Sequence, residues 1–235
     1  LFSGHVTPPF VKIPQNQLNF LTEIRKSQGK RPAGFSFDFP VTLCYTFEKV
    51  ITDQGEGMSV LYAVQYDGKS LSHREHLLRQ RFLAEELLEY ALWQERGVRL
   101  SSLRRERTQD GKPYFPDCSI HFNVSHCRGL VCCALSSAPV GVDGEGPRPI
   151  REDLAPRICT EEELAWLACQ PDRAAAFLSL WTLKESVMKL IGQGLKYGVK
   201  NAAFSFEDGI PHFRQRDVLM SQHLLPGGYV ISVAS

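Results

Sequence analysis

The stretch from residue 120 to residue 145 alternates between β-prone apolar runs and short polar turns. Residues 120–124 form the first run, and residues 130–135 are apolar enough for a buried strand. The third run, residues 140–145, ends in two carboxylates. Short apolar runs bounded by turn residues are typical of strands, so the pattern predicts three strands joined by two turns.

Two other segments follow the helical period. From residue 72 to about residue 95, apolar residues recur on one face, which predicts an amphipathic helix that ends at Gly97. From about residue 173 to residue 191, apolar residues cover most of the circumference, which predicts a buried helix that ends at Gly192.

The remaining apolar runs predict further strands. Residues 41–51 and 58–66 are β-rich and flank a polar, glycine-containing segment, and residues 203–206 and 210–213 flank Glu-Asp-Gly; both pairs predict hairpins. The order is strands, helix, strands, and then strands, helices, strands. This order predicts an α+β fold. The proline-rich residues 1–40 show little periodicity, and we expect them to form an extension on the surface.

The buried helix carries one narrow polar stripe. Thr182, Glu185, Ser186 and Lys189 follow at i, i+3, i+4 and i+7, and Lys184 lies to its side. Polar groups on a buried helix need partners, and a metal ion together with a phosphate would satisfy both signs of charge. The alternative is an exposed Glu185–Lys189 pair, which contributes about 0.3–0.5 kcal/mol.

The third predicted strand ends with Asp143 and Glu145. Side chains alternate along a strand, so the two carboxylates face one side while Gly144 faces the other. Carboxylates this close repel each other unless a cation lies between them, which makes the pair a candidate for a hard divalent ion. A solvated strand end is the alternative, and the single carboxylate of the buried helix, Glu185, is what favours the ion.

Four short motifs carry a family resemblance. They are Gly-Lys-Pro (111–113), Phe-Asn-Val-Ser-His (122–126), Gly-Val-Asp-x-Glu (141–145) and Trp-x-x-Lys-Glu-Ser (181–186). In this order and at these spacings, the chain resembles the 4′-phosphopantetheinyl transferases of the large, monomeric surfactin-synthetase-activator type. The resemblance covers roughly residues 75 to 210.

The resemblance implies a fold of two similar α/β halves related by a pseudo-twofold axis, with the active site in the cleft between them. We therefore expect an N-terminal extension over residues 1–40, an N-terminal half over residues 41–117, and a C-terminal half with the metal site over residues 118–235. A monomer is expected for the same reason.

The resemblance also implies an activity. The 4′-phosphopantetheine group of coenzyme A would pass to a serine of an apo acyl or peptidyl carrier protein, with release of adenosine 3′,5′-bisphosphate. Such phosphoryl-type transfers depend on positioning and charge neutralisation. Two alternatives stay open: a module that binds coenzyme A or a carrier protein without turnover, and a Mg²⁺-dependent pyrophosphohydrolase.

The resemblance assigns roles to individual residues. Mg²⁺ would be held by Asp143, Glu145 and Glu185. Coenzyme A would be bound by Lys112, Ser125, His126, Lys184 and Lys189. Lys189 would also act in catalysis by neutralising a phosphate oxygen. The family usually has a bulky apolar residue between the two strand carboxylates, so we expect Gly144 to leave a core position empty and to loosen the strand.

Glu163 has two candidate roles. Thr160 and Glu163 form the pattern of a capping box at the start of a helix that continues to about Cys169. The resemblance aligns Glu163 with a carboxylate that is proposed in the family as the general base for the serine proton. A water molecule bound to the metal is the alternative base. One residue cannot easily do both in the same rotamer, and the sequence leaves the two roles open.

Composition and charge narrow the remaining function classes. The chain has 43% hydrophobic and 23% charged residues and a formal net charge of +1, which indicates neither disorder nor a nucleic-acid partner. No apolar run approaches the roughly 20 residues of a membrane span. Seven cysteines, an odd number, favour reduced thiols in a cytoplasmic protein over a disulfide framework.

Two local features keep alternatives of their own. Arg104, Arg105 and Arg107 are either a solvated charged face or a basic rim for coenzyme phosphates or an acidic protein partner. A zinc site built from Cys118, His121, His126 and Cys127 is conceivable, but its spacing matches no established zinc pattern.

Overall fold

The computed structural model describes residues 46–53, 58–68, 71–149, 153–214 and 218–235, with side chains from residue 59 onward. The expected extension over residues 1–40 and the start of the first predicted strand lie outside the described residues.

The helices and strands follow in this order: β1 (Thr46–Asp53), β2 (Met58–Gln65), α1 (His73–Arg96), β3 (Glu106–Arg107), β4 (Pro113–Tyr114), β5 (His121–Cys127), β6 (Leu130–Ser136), β7 (Gly141–Glu145), α2 (Ala155–Ile158), α3 (Glu161–Ala168), α4 (Arg173–Ile191), β8 (Phe204–Glu207), β9 (Ile210–Phe213), β10 (Met220–Leu225) and β11 (Tyr229–Ala234). Short 3₁₀ turns cover residues 100–102, 194–197 and 199–201.

In the described part of the chain, the strands form two larger antiparallel sheets and two small ribbons. The first sheet has the order β1-β2-β6-β5, and the second has the order β10-β11-β7. The ribbons are β3–β4 and β8–β9. The three strands predicted between residues 120 and 145 and both hairpins are confirmed. The chain mixes helices and sheets, as an α+β fold requires.

The two sheets pack face to face, and one long helix covers the outer face of each. Alternate residues of β2 and β6 point to opposite faces, so that Tyr62 and Cys133 pack with α1 while Ala63 and Cys132 pack against the second sheet. Helix α4 lies on the outer side of β7 and β11. All seven residues of β6 are buried, which explains why its sequence is a continuous apolar run.

Local signals set the ends of the long helices. Ser72 and Glu75 form a capping box at the start of α1, and Gly97 ends the helix in the left-handed conformation with φ 65°. Helix α4 begins after Asp172, whose side chain accepts from the Ala175 N–H, and ends at Gly192 with φ 80°. Both predicted helix ends at glycine are confirmed.

Gly141 sets the distance between β7 and α4. A Cβ atom at this position would lie 2.1 Å from the carbonyl oxygen of Ser186 and 2.3 Å from the backbone nitrogen of Leu190. Because these are backbone atoms of a helix, they cannot yield as the end of a side chain can. Strand and helix therefore approach this closely only with glycine here.

We expect Gly141→Ala to push α4 away from β7 and to lower the free energy of unfolding by about 1–3 kcal/mol. Urea unfolding measures this effect. Gly144→Ala is the matched control, because its Cβ would meet side-chain atoms only, with the nearest at 3.0 Å. Equal losses in the two variants would contradict this account of Gly141.

The expectation that Gly144 leaves an empty core position is wrong. A Cβ here would stand 3.0 Å from both the Cys132 Sγ and the Leu130 Cδ2 atoms, which belong to the facing sheet. The first sheet thus fills the space that a bulky residue would take. Gly144 permits close packing between the sheets, and nothing in its surroundings indicates a loosened strand.

Candidate active site

Three elements bring the candidate site together: β5, β7 and α4. On β7, Asp143 is buried, and the Oδ1 atom of its carboxylate accepts from the Ser125 hydroxyl of β5 at 2.8 Å. The Lys189 ammonium of α4 donates to the same Oδ1 at 2.6 Å and to the Ser125 Oγ at 2.9 Å. Three of the predicted site residues therefore form one hydrogen-bonded cluster.

The position of β7 beside β5 depends on a side chain. The Asn123 Oδ1 atom accepts from the backbone N–H of Val142 at 2.9 Å, although β5 and β7 belong to different sheets. Asn123 is buried, and its side chain gives the backbone N–H of Val142 a hydrogen-bond partner that this N–H would otherwise lack. It also fixes Asp143, the next residue, opposite Ser125.

The second oxygen of Asp143 suits a metal ion. Its Oδ2 atom is buried and has no hydrogen-bond partner among the described residues. A buried carboxylate oxygen without a donor is costly, and a hard divalent cation with oxygen ligands would satisfy it.

Glu145 and Glu185 share the electrostatic environment of Asp143. Burial raises the pKa of the Glu185 carboxyl, and the negative charge of Asp143 raises that pKa further. Glu145 acts on Glu185 in the same direction, and Lys189 acts in the opposite one. Burial also raises the pKa of Glu145, an effect that Arg148 opposes and Asp143 reinforces. The three predicted metal ligands are therefore neighbours whose charges disfavour one another.

The carboxylates are nevertheless not gathered around one point. Among the described residues, no three His, Cys, Asp or Glu side chains are placed to hold an ion together. Lys189 engages Asp143, and the Arg148 guanidinium donates to the Glu145 Oε1 atom at 3.0 Å. The three-carboxylate magnesium site stays a prediction, and the zinc alternative gains no support in the part of the chain described.

The polar stripe of α4 divides into two parts. Thr182 exchanges a hydrogen bond with the Ser232 hydroxyl of β11 at 2.8 Å, and Ser186 donates to the Leu183 carbonyl at 2.8 Å. The protein itself thus satisfies these two hydroxyls. Glu185 and Lys189 are the members of the stripe that lie near Asp143.

Positive charge collects on the side of the cluster where β5 ends. Part of the His126 imidazole is exposed. Burial of the rest lowers the pKa of His126, and the nearby charges of Lys189 and Arg81 lower it further. The two cations, Lys189 and Arg81, favour an anion beside them, as a coenzyme phosphate would be, and such an anion would also favour the protonated form of His126. The coenzyme role of His126 remains a prediction.

Lys112 is engaged by backbone carbonyls. Its ammonium donates to the carbonyl oxygens of Val140, just before β7, and of Leu190, at the end of α4, both at 3.0 Å. Its stem packs on Gly192, where an added Cβ would lie 3.1 Å from the Lys112 Cδ. A cation at a helix C-terminus is favoured by the exposed carbonyls. Lys112 therefore ties β7 to α4 here, and its predicted contact with coenzyme A stays a prediction.

The titration of Lys112 gives a testable pH dependence. Burial lowers the pKa of its ammonium from 10.5 to about 8. Below about pH 8 both the folded and the unfolded chain hold the proton, and between the two values only the unfolded chain does. Stability contributed at this site therefore rises with pH in that window.

Relative to Lys112→Met, we expect the wild-type free energy of unfolding to increase by about 1 kcal/mol between about pH 7.5 and pH 9.5, a figure that allows for partial exposure. Urea unfolding of both proteins at each pH measures this difference. Lys196→Met removes an exposed lysine and serves as the control, for which no such change is expected. A constant difference between wild type and Lys112→Met would contradict the shifted pKa.

Glu163 and Lys184 form a separate, fully buried ion pair. Both side chains are 0% exposed, and the Lys184 Nζ lies 2.7 Å from the Glu163 Oε1. Burial lowers the pKa of Lys184, and the Glu163 carboxylate opposes that shift. Lys184 also donates to the carbonyl oxygens of Ala202 at 2.7 Å and Val199 at 3.3 Å.

Both Glu163 oxygens are occupied as well. The Oε2 atom accepts from the Thr160 N–H at 2.7 Å, which completes the capping box of α3, and Oε1 accepts from the Phe204 N–H at 2.9 Å. The predicted capping role is confirmed. The pair joins α3, α4 and β8, and the structure does not bring Glu163 and Lys184 into the Asp143 cluster.

Comparisons with known proteins agree with this arrangement of motifs. The family model of the 4′-phosphopantetheinyl transferase superfamily matches residues 139–234. Over 161 residues the chain is 32% identical to the 4′-phosphopantetheinyl transferase psf-1 of Bacillus pumilus, an alignment that covers 66% of this chain and 69% of that protein. The chain belongs to the 4′-phosphopantetheinyl transferase superfamily.

Two further transferases of this superfamily are similar to the chain. The transferase gsp of Aneurinibacillus migulanus is 37% identical over 115 residues, which is 48% of each protein. The transferase Sfp of Bacillus subtilis strain 168 is 37% identical over 98 residues, covering 40% of this chain and 44% of that protein. The chain thus spans about half the length of these two relatives. The family expected from the four motifs is confirmed.

Three residues at the candidate site carried no role in the sequence-based interpretation. Asn123 lies inside a quoted motif, and Arg81 lies on the predicted amphipathic helix that starts at residue 72. Arg148 follows the two β7 carboxylates in a loop of prolines, and its position three residues after Glu145 is the one hint that the sequence offered.

Proposed function

We propose that this transferase moves the 4′-phosphopantetheine group of coenzyme A to a serine of an apo acyl or peptidyl carrier protein and releases adenosine 3′,5′-bisphosphate. The observation that carries the proposal is the buried Asp143 carboxylate. One of its oxygens is held by Lys189 and Ser125, and the other is buried without a partner. A site that binds a metal ion and a phosphate together needs a negative carboxylate beside a positive side chain, as Asp143 and Lys189 provide.

In this mechanism Asp143, Glu145 and Glu185 would hold Mg²⁺, which supplies charge neutralisation for the pyrophosphate when bound. Lys189 lies between Asp143 and the exposed side of the cluster, where its ammonium can bind a phosphate oxygen. Arg81 adds positive charge there, and the His126 imidazole, whose pKa is lowered, would donate a hydrogen bond that orients the coenzyme. Positioning and charge neutralisation are what a phosphoryl-type transfer needs from its protein.

We propose that Glu163 and Lys184 support the fold and do not touch the substrates. A general base must come within hydrogen-bond reach of the proton that it accepts. The Glu163 carboxylate is fully buried, with both oxygens hydrogen bonded, so it meets no hydroxyl of a second protein. Lys184 directly precedes the proposed metal ligand Glu185, but successive residues of a helix point about 100° apart. Lys184 therefore faces Glu163 and the Ala202 carbonyl instead of the Asp143 cluster.

The predicted pseudo-twofold arrangement has support in the layering. Each of the two sheets has one long helix, α1 or α4, on its outer face. The expected division at residue 117 is less well supported, because β5 and β6 follow it and pair in the sheet of β1 and β2. A division between β6 and β7 keeps each sheet in one half, and we propose that boundary.

The arginine run receives no support as a docking rim. Arg104 makes two hydrogen bonds to Asp117 at 3.0 Å, and Arg105 pairs with Glu85 at 2.9 Å. Arg107 donates to a backbone carbonyl. These are exposed pairs within the chain, as a solvated charged face would show. Membership of the 4′-phosphopantetheinyl transferase superfamily is the reason for which we still propose a carrier protein as the partner.

A monomeric state and a cytoplasmic location also stay proposals. The six cysteines among the described residues are free thiols, which suits a reducing compartment. None of the described helices combines the length and the apolar character that crossing a membrane requires.

Release of adenosine 3′,5′-bisphosphate tests the proposed function against its alternatives. The protein is incubated with coenzyme A and Mg²⁺, with and without an apo carrier protein, and the nucleotide is measured by chromatography. Transfer predicts release only with the carrier. Release without the carrier would indicate a pyrophosphohydrolase, and no release in either case would indicate a binding module.

A further inference from the structure

Two of the proposed metal ligands, Asp143 and Glu145, each have one carboxylate oxygen paired with a basic side chain of the protein. Lys189 lies 2.6 Å from the Asp143 Oδ1, and the two side chains are 27% and 7% exposed. Arg148 lies 3.0 Å from the Glu145 Oε1, and these side chains are 50% and 18% exposed. The first pair is largely shielded from water and the second is not.

We propose that Lys189 and Arg148 compete with the divalent cation for Asp143 and Glu145, so that these two side chains set the metal affinity of the site. The inference rests on the proposed function, since it takes the carboxylates to be metal ligands. It goes beyond that function because it assigns a role to Arg148 and a second role to Lys189.

The competition follows from charge. An ammonium and a divalent cation that share one carboxylate repel each other, and the repulsion is strongest where water cannot screen it. Lys189 has a second partner, the Ser125 hydroxyl, and its side chain is 27% exposed, which gives the ammonium room to leave the Oδ1 atom. Arg148 follows β7 in an exposed loop and is released at lower cost.

The two competitors should differ in strength. The Lys189–Asp143 pair is mostly shielded, so replacing it with a metal ion has the larger cost. The Arg148–Glu145 pair is half exposed on the arginine side, and pairs of this kind contribute little. Removal of Lys189 should therefore strengthen metal binding more than removal of Arg148.

Once displaced, Lys189 would be free to bind a phosphate oxygen on the same side as His126. Metal and anion would then favour each other through Lys189, in addition to their direct attraction. Without a metal ion, the Lys189 ammonium pairs with the Asp143 carboxylate, and with a metal ion bound it would become a phosphate ligand. Removal of Lys189 should therefore weaken coenzyme binding while it strengthens metal binding.

The test is a titration with Mn²⁺ alone, without coenzyme A or carrier protein, in which electron paramagnetic resonance measures the free ion. We expect Lys189→Met to bind Mn²⁺ about tenfold more tightly than wild type and Arg148→Met about two- to threefold more tightly. Added Mg²⁺ should displace the bound Mn²⁺. Lys189→Gln provides a second variant should the methionine disturb folding.

Arg128→Met is the matched control for the loss of one positive charge, because the described hydrogen bond of Arg128 is to the Gly68 carbonyl and not to a site carboxylate. Its affinity should equal that of wild type. Unchanged or weaker binding by both Lys189 variants would overturn the inference, as would a failure of wild type and variants alike to bind Mn²⁺ at millimolar concentration.

The outcomes separate this inference from the proposed function. If phosphopantetheine reaches a carrier but the Lys189 variants bind Mn²⁺ no better than wild type, only the competition is wrong. If the variants bind Mn²⁺ more tightly but no carrier is modified, the competition stands and the proposed function fails.

Discussion

Asp143→Asn should lower turnover by at least ~10²-fold, the loss typical when an electrostatic stabiliser is removed from an active site. The substitution keeps the size of the side chain and removes the charge that holds Lys189 and would hold the metal ion. Glu185→Gln should have a similar effect. The assay follows phosphopantetheine transfer at limiting Mg²⁺.

The folded state should change little in Asp143→Asn. The ion pair with Lys189 is lost, but the repulsion that raises the pKa of Glu185 is lost with it. Thermal unfolding checks this. Asp110→Asn is the control, because Asp110 pairs with Lys196, a largely exposed lysine. Full activity in both site variants at limiting Mg²⁺ would exclude the metal assignment.

Lys184→Met should lower the free energy of unfolding by about 3–5 kcal/mol, because it leaves the Glu163 carboxylate buried without its cation. The double variant Lys184→Met, Glu163→Gln should recover part of this loss, since a neutral amide needs no counter-ion. Urea unfolding of both single variants and the double variant gives the coupling between the two side chains.

Glu163→Gln alone separates support of the fold from catalysis. If Glu163 only supports the fold, the variant should be less stable because Lys184 is left without its counter-ion, while turnover of the folded enzyme survives. If Glu163 is the general base, the variant should instead lose ~10²–10⁴-fold in turnover. Turnover is measured well below the melting temperature, so that only folded protein is compared. A large loss of turnover there would show that the buried carboxylate takes part in the reaction.

Local signals made much of the fold predictable. The capping boxes at Ser72 and Thr160 and the glycines at 97 and 192 act within one turn of chain, so their sequence pattern suffices. The alternation between residues 120 and 145 likewise gave three strands, although β5 runs to Cys127, three residues further than expected. The separation of β7 from β5 and β6 could not be predicted, because its partner β11 lies far along the chain.

The site was predictable in its residue types more than in their partners. The motifs named Asp143 and Ser125, the polar stripe of α4 named Lys189, and the structure joins the three. The partners of Lys112 are carbonyl oxygens, and a sequence carries no signal for a backbone acceptor. The same holds for the space around Gly144, which is filled by side chains of another sheet.

The mass of an apo carrier protein tests the central claim most directly. The carrier is incubated with coenzyme A and this protein, in Mg²⁺ or in a chelator, and is then weighed intact by mass spectrometry. The account predicts a gain of one phosphopantetheine group in Mg²⁺, no gain in chelator, and a strongly reduced rate with Asp143→Asn. An unchanged carrier mass with every acyl and peptidyl carrier type in Mg²⁺, or equal modification by Asp143→Asn, would contradict it.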